Sequence, residues 1–249
     1  MLSTSRPVTS NQPGIHEHLA EVVTRHARSS FLKPISAHTQ AAFEQGLAAW
    51  QASAAPLILD AGCGVGMSTL RLAARFPTHF VLGVDQSADR LSRELRWEGL
   101  RPANCLTLRA DLVDFWRLML MHRMHPQRHY LLYPNPWPKK AQLGRRWHGH
   151  PVFPTIVALG GLLECRSNWQ TYIDEFSAAL TALTGKVVTT EALPDDPAGP
   201  LTPFEEKYRR SGHGLWACRL QLDEAAAHHA ANDAARDAVR DNVGAPAND

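Results

Sequence analysis

The stretch "PLILDAGCGVGMSTLRLAARF", Pro56 to Phe76, decides the architecture. Residues 56–60 form a short apolar run without polar alternation, the pattern of a strand buried on both faces. Gly62, Gly64 and Gly66 follow as G-x-G-x-G, and "MSTLRLAARF" continues with helical spacing. Glycine allows a sharp turn and a close approach of ligand to main chain. The spacing departs from the G-x-G-x-x-G of dinucleotide folds.

Working outward, the alternation repeats. "FVLGVD" (80–85) predicts a second strand, followed by a helix around Ala88–Trp97. "CLTLRAD" (105–111), a helix over 112–121, "HYLLYP" (129–134), "GLLECRS" (161–167) and a helix over 169–183 continue it. Helices are predicted upstream over 15–28 and over 36–52, the latter with Ser36 as N-cap. "KVVTTEAL" (186–193) and "GLWACRLQL" (214–222) are placed to pair as an antiparallel edge. Strands spaced by helices imply an α/β fold, a mostly parallel sheet with helices on both faces.

Composition excludes more than it selects. With 249 residues and 44% hydrophobic side chains the chain has ample material for a core. Net charge is +2; from Asp223 onward six acids face two arginines, a net of −4, so the preceding body carries +6. Cys63, Cys105, Cys165 and Cys218 are widely separated with no C-x-x-C pair, which predicts reduced thiols rather than a disulfide framework or zinc knuckle. Thirteen histidines lack convincing ligand spacing, so no metal is expected. No apolar run reaches the ~18 residues of a membrane span and no signal peptide is evident, so a soluble, cytoplasmic protein is expected. Residues 1–13 are expected to be disordered, and the Ala/Asp-rich tail 223–249 to lack a chemical role.

Three acids stand beside the glycine loop in this pattern. Asp60, Asp85 and Asp111 end three successive strands, and in open α/β sheets ligands bind beyond such ends. Carboxylates so grouped call for a cationic or donor-rich ligand between them. S-adenosylmethionine offers an ammonium, a sulfonium, ribose hydroxyls and an exocyclic amine in one molecule. Asp60 would face its methionyl end, Asp85 the ribose hydroxyls and Asp111 the adenine amine.

"YPNPWPKKAQLGRRWHGHP", Tyr133 to Pro151, leaves the fourth strand. Its prolines fix φ and stiffen the turn. Trp137 offers a flat face and Asn135 an amide for a base, and the cations beyond suit a phosphate backbone, with His148 and His150 extending that surface. The alternative is a proline-braced loop whose Trp packs inward while its cations sit in solvent. Lys207, Arg209 and Arg210 fit either a phosphate surface or a solvated face.

Four motifs in order resemble the bacterial tRNA (guanine-N7)-methyltransferases. "YPNPWPKK…RR" is similar to that family's Phe-Pro-Asp-Pro-Trp-x-Lys turn, "SNW" (167–169) to its Thr-Asp-Trp, Thr202, Phe204 and Glu205 to its Thr-x-Phe-Glu, and "GHGLW" (212–216) to its Gly-His-Gly-x-Trp. The resemblance runs from about Arg25 to Leu222. It implies a class I, Rossmann-like seven-stranded sheet as a single methyltransferase domain over 14–222, S-adenosylmethionine as cofactor and tRNA as partner, in a chain expected to be a monomer. It places cofactor contacts on Asp60, Gly62, Gly64, Asp85, Asp111 and Asn135. Substrate contacts fall on Lys139, Asn168, Thr202, Phe204 and Glu205, with Asn135, Asn168 and Glu205 as candidate catalytic residues.

Asn135 and Asn168 stand where that family has aspartates. Guanine N7 carries a free lone pair, so no general base is required, only an in-line approach and tolerance of the ring cation formed. An amide favours that cation less than a carboxylate does. Guanine held differently, charge supplied by Glu205, or another acceptor would each accommodate the change. A same-fold enzyme with a different RNA or small-molecule acceptor, and a binding module without turnover, share the pattern.

Overall fold

The computed structural model describes residues 5–29, 31–93 and 95–222. Seven strands form one sheet: β1 (Leu57–Ala61), β2 (Phe80–Asp85), β3 (Cys105–Arg109), β4 (Arg128–Leu132), β5 (Gly161–Ser167), β6 (Glu191–Ala192) and β7 (Trp216–Leu222). Their order is β3-β2-β1-β4-β5-β7-β6. The first five strands are parallel, and β7 runs antiparallel to both β5 and β6. The α/β arrangement is the one the alternation of strands and helices predicts, and the seven-stranded class I methyltransferase sheet is the one the family resemblance implies.

Every residue of β1 and β2 is buried, and apart from Asp60 and Asp85 both strands are apolar without alternation. Leu57 and Leu59 face one core with α1 (Leu19–Ala27), α2 (Ala37–Ser53), α5 (Leu112–Met121), α6 (Phe153–Ala158) and α7 (Gln170–Thr184). Ile58, Val81 and Tyr130 face the other, where they meet Leu72 and Ala73 of α3 (Met67–Arg75) together with Leu201. Gly83 in β2 has a packing reason: a Cβ there would lie 2.2 Å from the Thr69 hydroxyl. The absent side chain lets α3 settle directly on the strand.

The chain steps outward from β1 to β2 and β3, then returns to place β4 on the other side of β1. The order therefore reverses between β1 and β4, and the crevice of such a sheet opens at the carboxyl ends of those two strands.

Four expectations change. The helix predicted around Ala88–Trp97 stops early, as α4 (Ala88–Leu91). None of its residues is buried, so tertiary packing does not extend it. The edge strand predicted over 186–193 shortens to β6, paired with Ala217 and Trp216. Two helices not anticipated are α6, which precedes β5, and α8 (Pro203–Arg210), which precedes β7.

The fourth change concerns the N-terminus. Residues 5–13, expected to be disordered, lie against the domain: Gln12 is buried and hydrogen-bonded to Glu175 and Arg146, and Val8 packs on the core. Specific buried partners outweigh the Ser/Thr/Pro composition. Residues 1–4 and the tail 223–249 lie outside the described residues.

Candidate functional site

The glycine loop joins β1 to α3. Gly62, Gly64 and Gly66 have φ of +80°, +61° and +84°, a region costly for side-chain-bearing residues. The amides of Gly62 and Cys63 both donate to the Val84 carbonyl, pinning the loop to β2. A Cβ on Gly64 would meet nothing within 4 Å, so the loop borders open space.

The three acids have distinct surroundings. Asp60 is buried, and its Oδ2 accepts from the Ser68 and Thr69 hydroxyls at 2.6 and 2.7 Å. Its Oδ1 is buried without a hydrogen-bond partner. Burial raises its pKa to about 6 despite those two hydrogen bonds, and neighbouring Asp85 adds to the rise. Asp85 accepts from the amides of Gly64 (2.9 Å) and Ser87 (2.8 Å) and pairs with Arg90 at 3.4 Å. Asp111 is the N-cap of α5, accepting from Val113 and Asp114, and pairs with Lys33 at 3.4 Å. Asp60 and Asp85 therefore flank the loop, while Asp111 also has a structural task as a helix cap.

Across the β1–β4 junction the four motif segments converge. Tyr133 has φ +54° and its amide donates to the Arg166 carbonyl at 2.9 Å, tying the end of β4 to β5. Its ring lies 5.7 Å from that of Tyr208 on α8. Burial, then the Glu205 carboxylate, push the Tyr133 phenol well above its usual range. Tyr208 stacks on His213 (5.4 Å, 12°) and on Phe204 (6.2 Å, 24°). His213 in turn meets the Asn168 amide at 3.2 Å. Phe204 is 45% exposed, an aromatic face open to solvent at the end of this stack.

Thr202 and Glu205 begin α8: the Thr202 hydroxyl accepts from the Glu205 amide at 2.9 Å as N-cap. The Glu205 carboxylate is buried against Arg166 at 3.1 Å, with Arg209 at 3.6 Å. Arg166 also binds Glu164 at 2.6 Å, and Glu164 takes a second arginine, Arg219, at 2.9 Å. Burial tends to raise the Glu164 carboxyl, yet the two arginines outweigh it and hold it low. The α3 helix is tied to this side, since Arg71 donates to the Pro200 carbonyl and Arg75 pairs with Asp196.

The turn from Tyr133 to Pro151 differs from its sequence reading. Asn135 and Lys139 are exposed, as a ligand-facing role requires. Trp137 carries the Arg145 guanidinium over its ring at 4.8 Å, so one face of that ring is already covered. Arg146 and His148, expected on a phosphate-binding surface, are buried instead. Both bind Glu175, and the Arg146 guanidinium lies over Trp169. Desolvation alone would raise the Glu175 carboxyl; the His148 hydrogen bond, Arg146 and Gln12 hold it at about 2. His148 is pushed down by the same burial. His150 is half-buried, packed edge-on to Phe31 and Trp147 rather than presented to a backbone. Lys140 pairs with Glu17 at 2.9 Å.

Sequence reading missed Arg166, Glu164, Tyr208 and Glu175. A signal for the first two existed: charges at i and i+2 of a strand point to one face, and buried charges need partners. Tyr208 lies four residues after Phe204 on one helix face. Among the described residues no group of three or more His, Cys, Asp or Glu is placed to hold a metal ion, and no helix is long and apolar enough to cross a membrane. The four cysteines are free, three of them buried. A cavity of about 310 Å³ lies near Leu57, Gly161 and Leu222, at the opposite end of the sheet from the glycine loop.

A family described as putative methyltransferase matches residues 54–218. Among curated relatives, a tRNA (guanine-N(7)-)-methyltransferase of Burkholderia vietnamiensis is 29% identical over 170 residues, covering 65% of each chain. That of Thiobacillus denitrificans is 29% identical, covering 66% of this chain and 74% of that protein. That of Paracidovorax citrulli is 30% identical, covering 66% and 67%. The chain thus spans slightly less than two thirds of the Burkholderia relative's length. Among solved structures, an antibiotic related methyltransferase matches with a TM-score of 0.51 at 10% identity, covering 79% of this chain and 98% of that one. The 16S rRNA methyltransferase KamB matches with 0.50 at 16%, covering 77% and 97%. At such identities these two likenesses speak for the fold alone.

Proposed function

We propose that this chain, which belongs to the putative methyltransferase family, transfers a methyl group from S-adenosylmethionine to N7 of a guanine in tRNA. The observation that carries this reading is convergence. Tyr133, Asn168, Glu205 and His213, drawn from four distant segments, gather beside β4 and β5, next to the strand that bears the glycine loop. The curated relatives named tRNA (guanine-N(7)-)-methyltransferase support the same substrate.

The residues present fit the cofactor. Asp60 offers a buried carboxylate oxygen without a partner, suited to an ammonium. Gly62 and Gly64 leave the loop bare of side chains, and Asp85 and Asp111 are the acids assigned to ribose and adenine. When bound, S-adenosylmethionine would supply an electrophilic methyl on a sulfonium, which the N7 lone pair could accept with the sulfur as leaving group and without any proton being moved. The protein's task is therefore to align, exclude water and tolerate a ring cation.

Asn135, exposed at the turn, reads the base edge and borders the cofactor. Asn168 lines the acceptor pocket through its contact with His213. Phe204 offers a stacking face, and Thr202 sets the start of its helix. Lys139 meets phosphate. Glu205 is assigned to the pocket wall: with Arg166 and Arg209 beside it, its charge is shared with cations rather than left for the methylated ring. That sharing, with amides at Asn135 and Asn168, favours as second reading a same-fold enzyme with another acceptor. A soluble, cytoplasmic monomer working without a metal accords with either reading.

Labelled S-adenosylmethionine and tRNA lacking its own N7-methylguanine separate the two. Label recovered as N7-methylguanine is expected. Label in another nucleotide would favour the second reading, and no label despite cofactor binding would overturn the first and leave a small-molecule acceptor or a binding module without turnover.

A further inference from the structure

The acceptor turn is held at four successive residues by groups from elsewhere in the chain. Arg146 donates to the carbonyls of Trp137 (3.1 Å) and Lys139 (3.2 Å). The Ser10 hydroxyl donates to the Pro138 carbonyl at 2.5 Å, and the Lys140 amide donates to Asn11 Oδ1 at 3.0 Å. The two sets are joined, since Gln12 Oε1 accepts from Arg146 at 3.1 Å and both residues bind Glu175. At its other end the same N-terminal segment meets the His213 loop. The Ser5 amide donates to the Ser211 hydroxyl and the Ser5 carbonyl lies 3.0 Å from His213 Nε2. Residues 5–12 thus touch both acceptor-side elements, and their buried end is the cluster of Gln12, Arg146 and Glu175.

Trp137 gives a reason why such holding matters. Its φ of +44° is unusual for a side-chain-bearing residue and persists only where surroundings over-determine it. Prolines fix φ at their own positions and leave ψ free. Hydrogen bonds to carbonyls 137, 138 and 139 and from amide 140 settle the remaining torsions.

We propose that residues 5–12 are a positioning strap: with Arg146 they fix the acceptor turn relative to the His213 loop, so that Asn135 and Lys139 meet the RNA in one arrangement. The functional half of this rests on the assignment of the turn to the acceptor. Ser10, Asn11 and Gln12 act through the turn and touch no reacting atom.

The test compares the full-length wild type with Ser10→Ala/Asn11→Ala and with Ser10→Thr/Asn11→Asp, which keeps a donor and an acceptor. The alanine pair is expected to raise KM for tRNA about tenfold, the scale of two ordinary hydrogen bonds partly lost. S-adenosylmethionine Kd should stay within about twofold, exchange of the Lys140 amide should accelerate, and the conservative pair should restore both. Unchanged Lys140 exchange would show that the strap does not hold the turn. Accelerated exchange with an unchanged KM would show that its holding does not serve the acceptor. Either overturns the proposal. A wild type that methylates no tRNA counts against the assigned function, and the RNA-free exchange measurement then still decides the strap.

Discussion

Gly64→Ala separates the loop's structural role from its ligand-binding role. Gly64 sits at φ +61°, where an L-residue pays about 1–2 kcal/mol. Its Cβ would meet no atom within 4 Å, so backbone strain is the only structural charge, and its amide keeps the 2.9 Å bond to Asp85. A loss of about 1–2 kcal/mol lowers Tm by roughly 2–8 °C for a domain of this size. The new methyl occupies the space assigned to the cofactor, so affinity for S-adenosylmethionine should fall at least about tenfold, or 1.4 kcal/mol. Gly83→Ala provides the contrast. Its Cβ would lie 2.2 Å from the Thr69 hydroxyl and 3.1 Å from Thr69 Cβ, so α3 must move at an overpacking cost of up to about 3 kcal/mol. Urea unfolding gives stability and calorimetric titration gives affinity. A folded Gly64→Ala protein that binds S-adenosylmethionine as the wild type does would refute the placement of the cofactor above this loop.

Four further outcomes follow. Asp60 has a folded pKa of about 6 against an ordinary 3.8, so its contribution to stability is most favourable below about 3.8 and is lost as pH rises towards 6. The loss totals about 3 kcal/mol; Asp60→Asn should therefore flatten the pH-stability curve across that window, and an unaltered curve in urea titrations would contradict the assignment. Cofactor affinity should weaken as pH falls through 6 in the wild type and lose that dependence in Asp60→Asn. Glu205→Ala removes the 3.1 Å partner of Arg166 but leaves it paired with Glu164 at 2.6 Å, so the loss should be about 1–3 kcal/mol, with Glu205→Gln costing less; equal, negligible losses on denaturation would show the buried pair to be inert. Asn135→Asp with Asn168→Asp should raise guanine turnover by placing carboxylates near the cationic product ring, since charges about 4 Å apart at effective dielectric 20 interact by roughly 4 kcal/mol. Unchanged or lower kcat in single-turnover assays would show that charge at these positions does not limit the reaction.

The sheet was legible because its signals are local. Leu57 to Leu59 and Phe80 to Val84 are uninterrupted apolar runs, and three glycines between strand and helix leave few alternatives to a tight βα turn. The site was legible in identity more than in role. Thr202-Pro203-Phe204-Glu205 resembles a substrate motif, yet Thr202 is also a helix cap with Pro203 in the first turn, so one tetrapeptide both starts α8 and exposes Phe204. Asp111, expected to end the third strand, lies two residues beyond β3 and caps α5. What remained hidden was long-range. Gln12 finds Glu175 and Arg146 at separations of 163 and 134 residues, and no composition rule distinguishes such a glutamine from a solvated one. The same pairing turned Arg146 and His148 from apparent phosphate ligands into buried structural groups.

Every assignment on the acceptor side presumes a sulfonium nucleoside seated between the glycine loop and β4. Asp85 is the residue through which that presumption is most exposed, because its carboxylate both holds the Gly64 amide and is assigned to the ribose. Titrating S-adenosylmethionine into the wild type and into folded Asp85→Ala should give binding to the first and at least a tenfold weaker Kd for the second, about 1.4 kcal/mol. Equal affinity in the two proteins, or no binding to the wild type, would contradict the account.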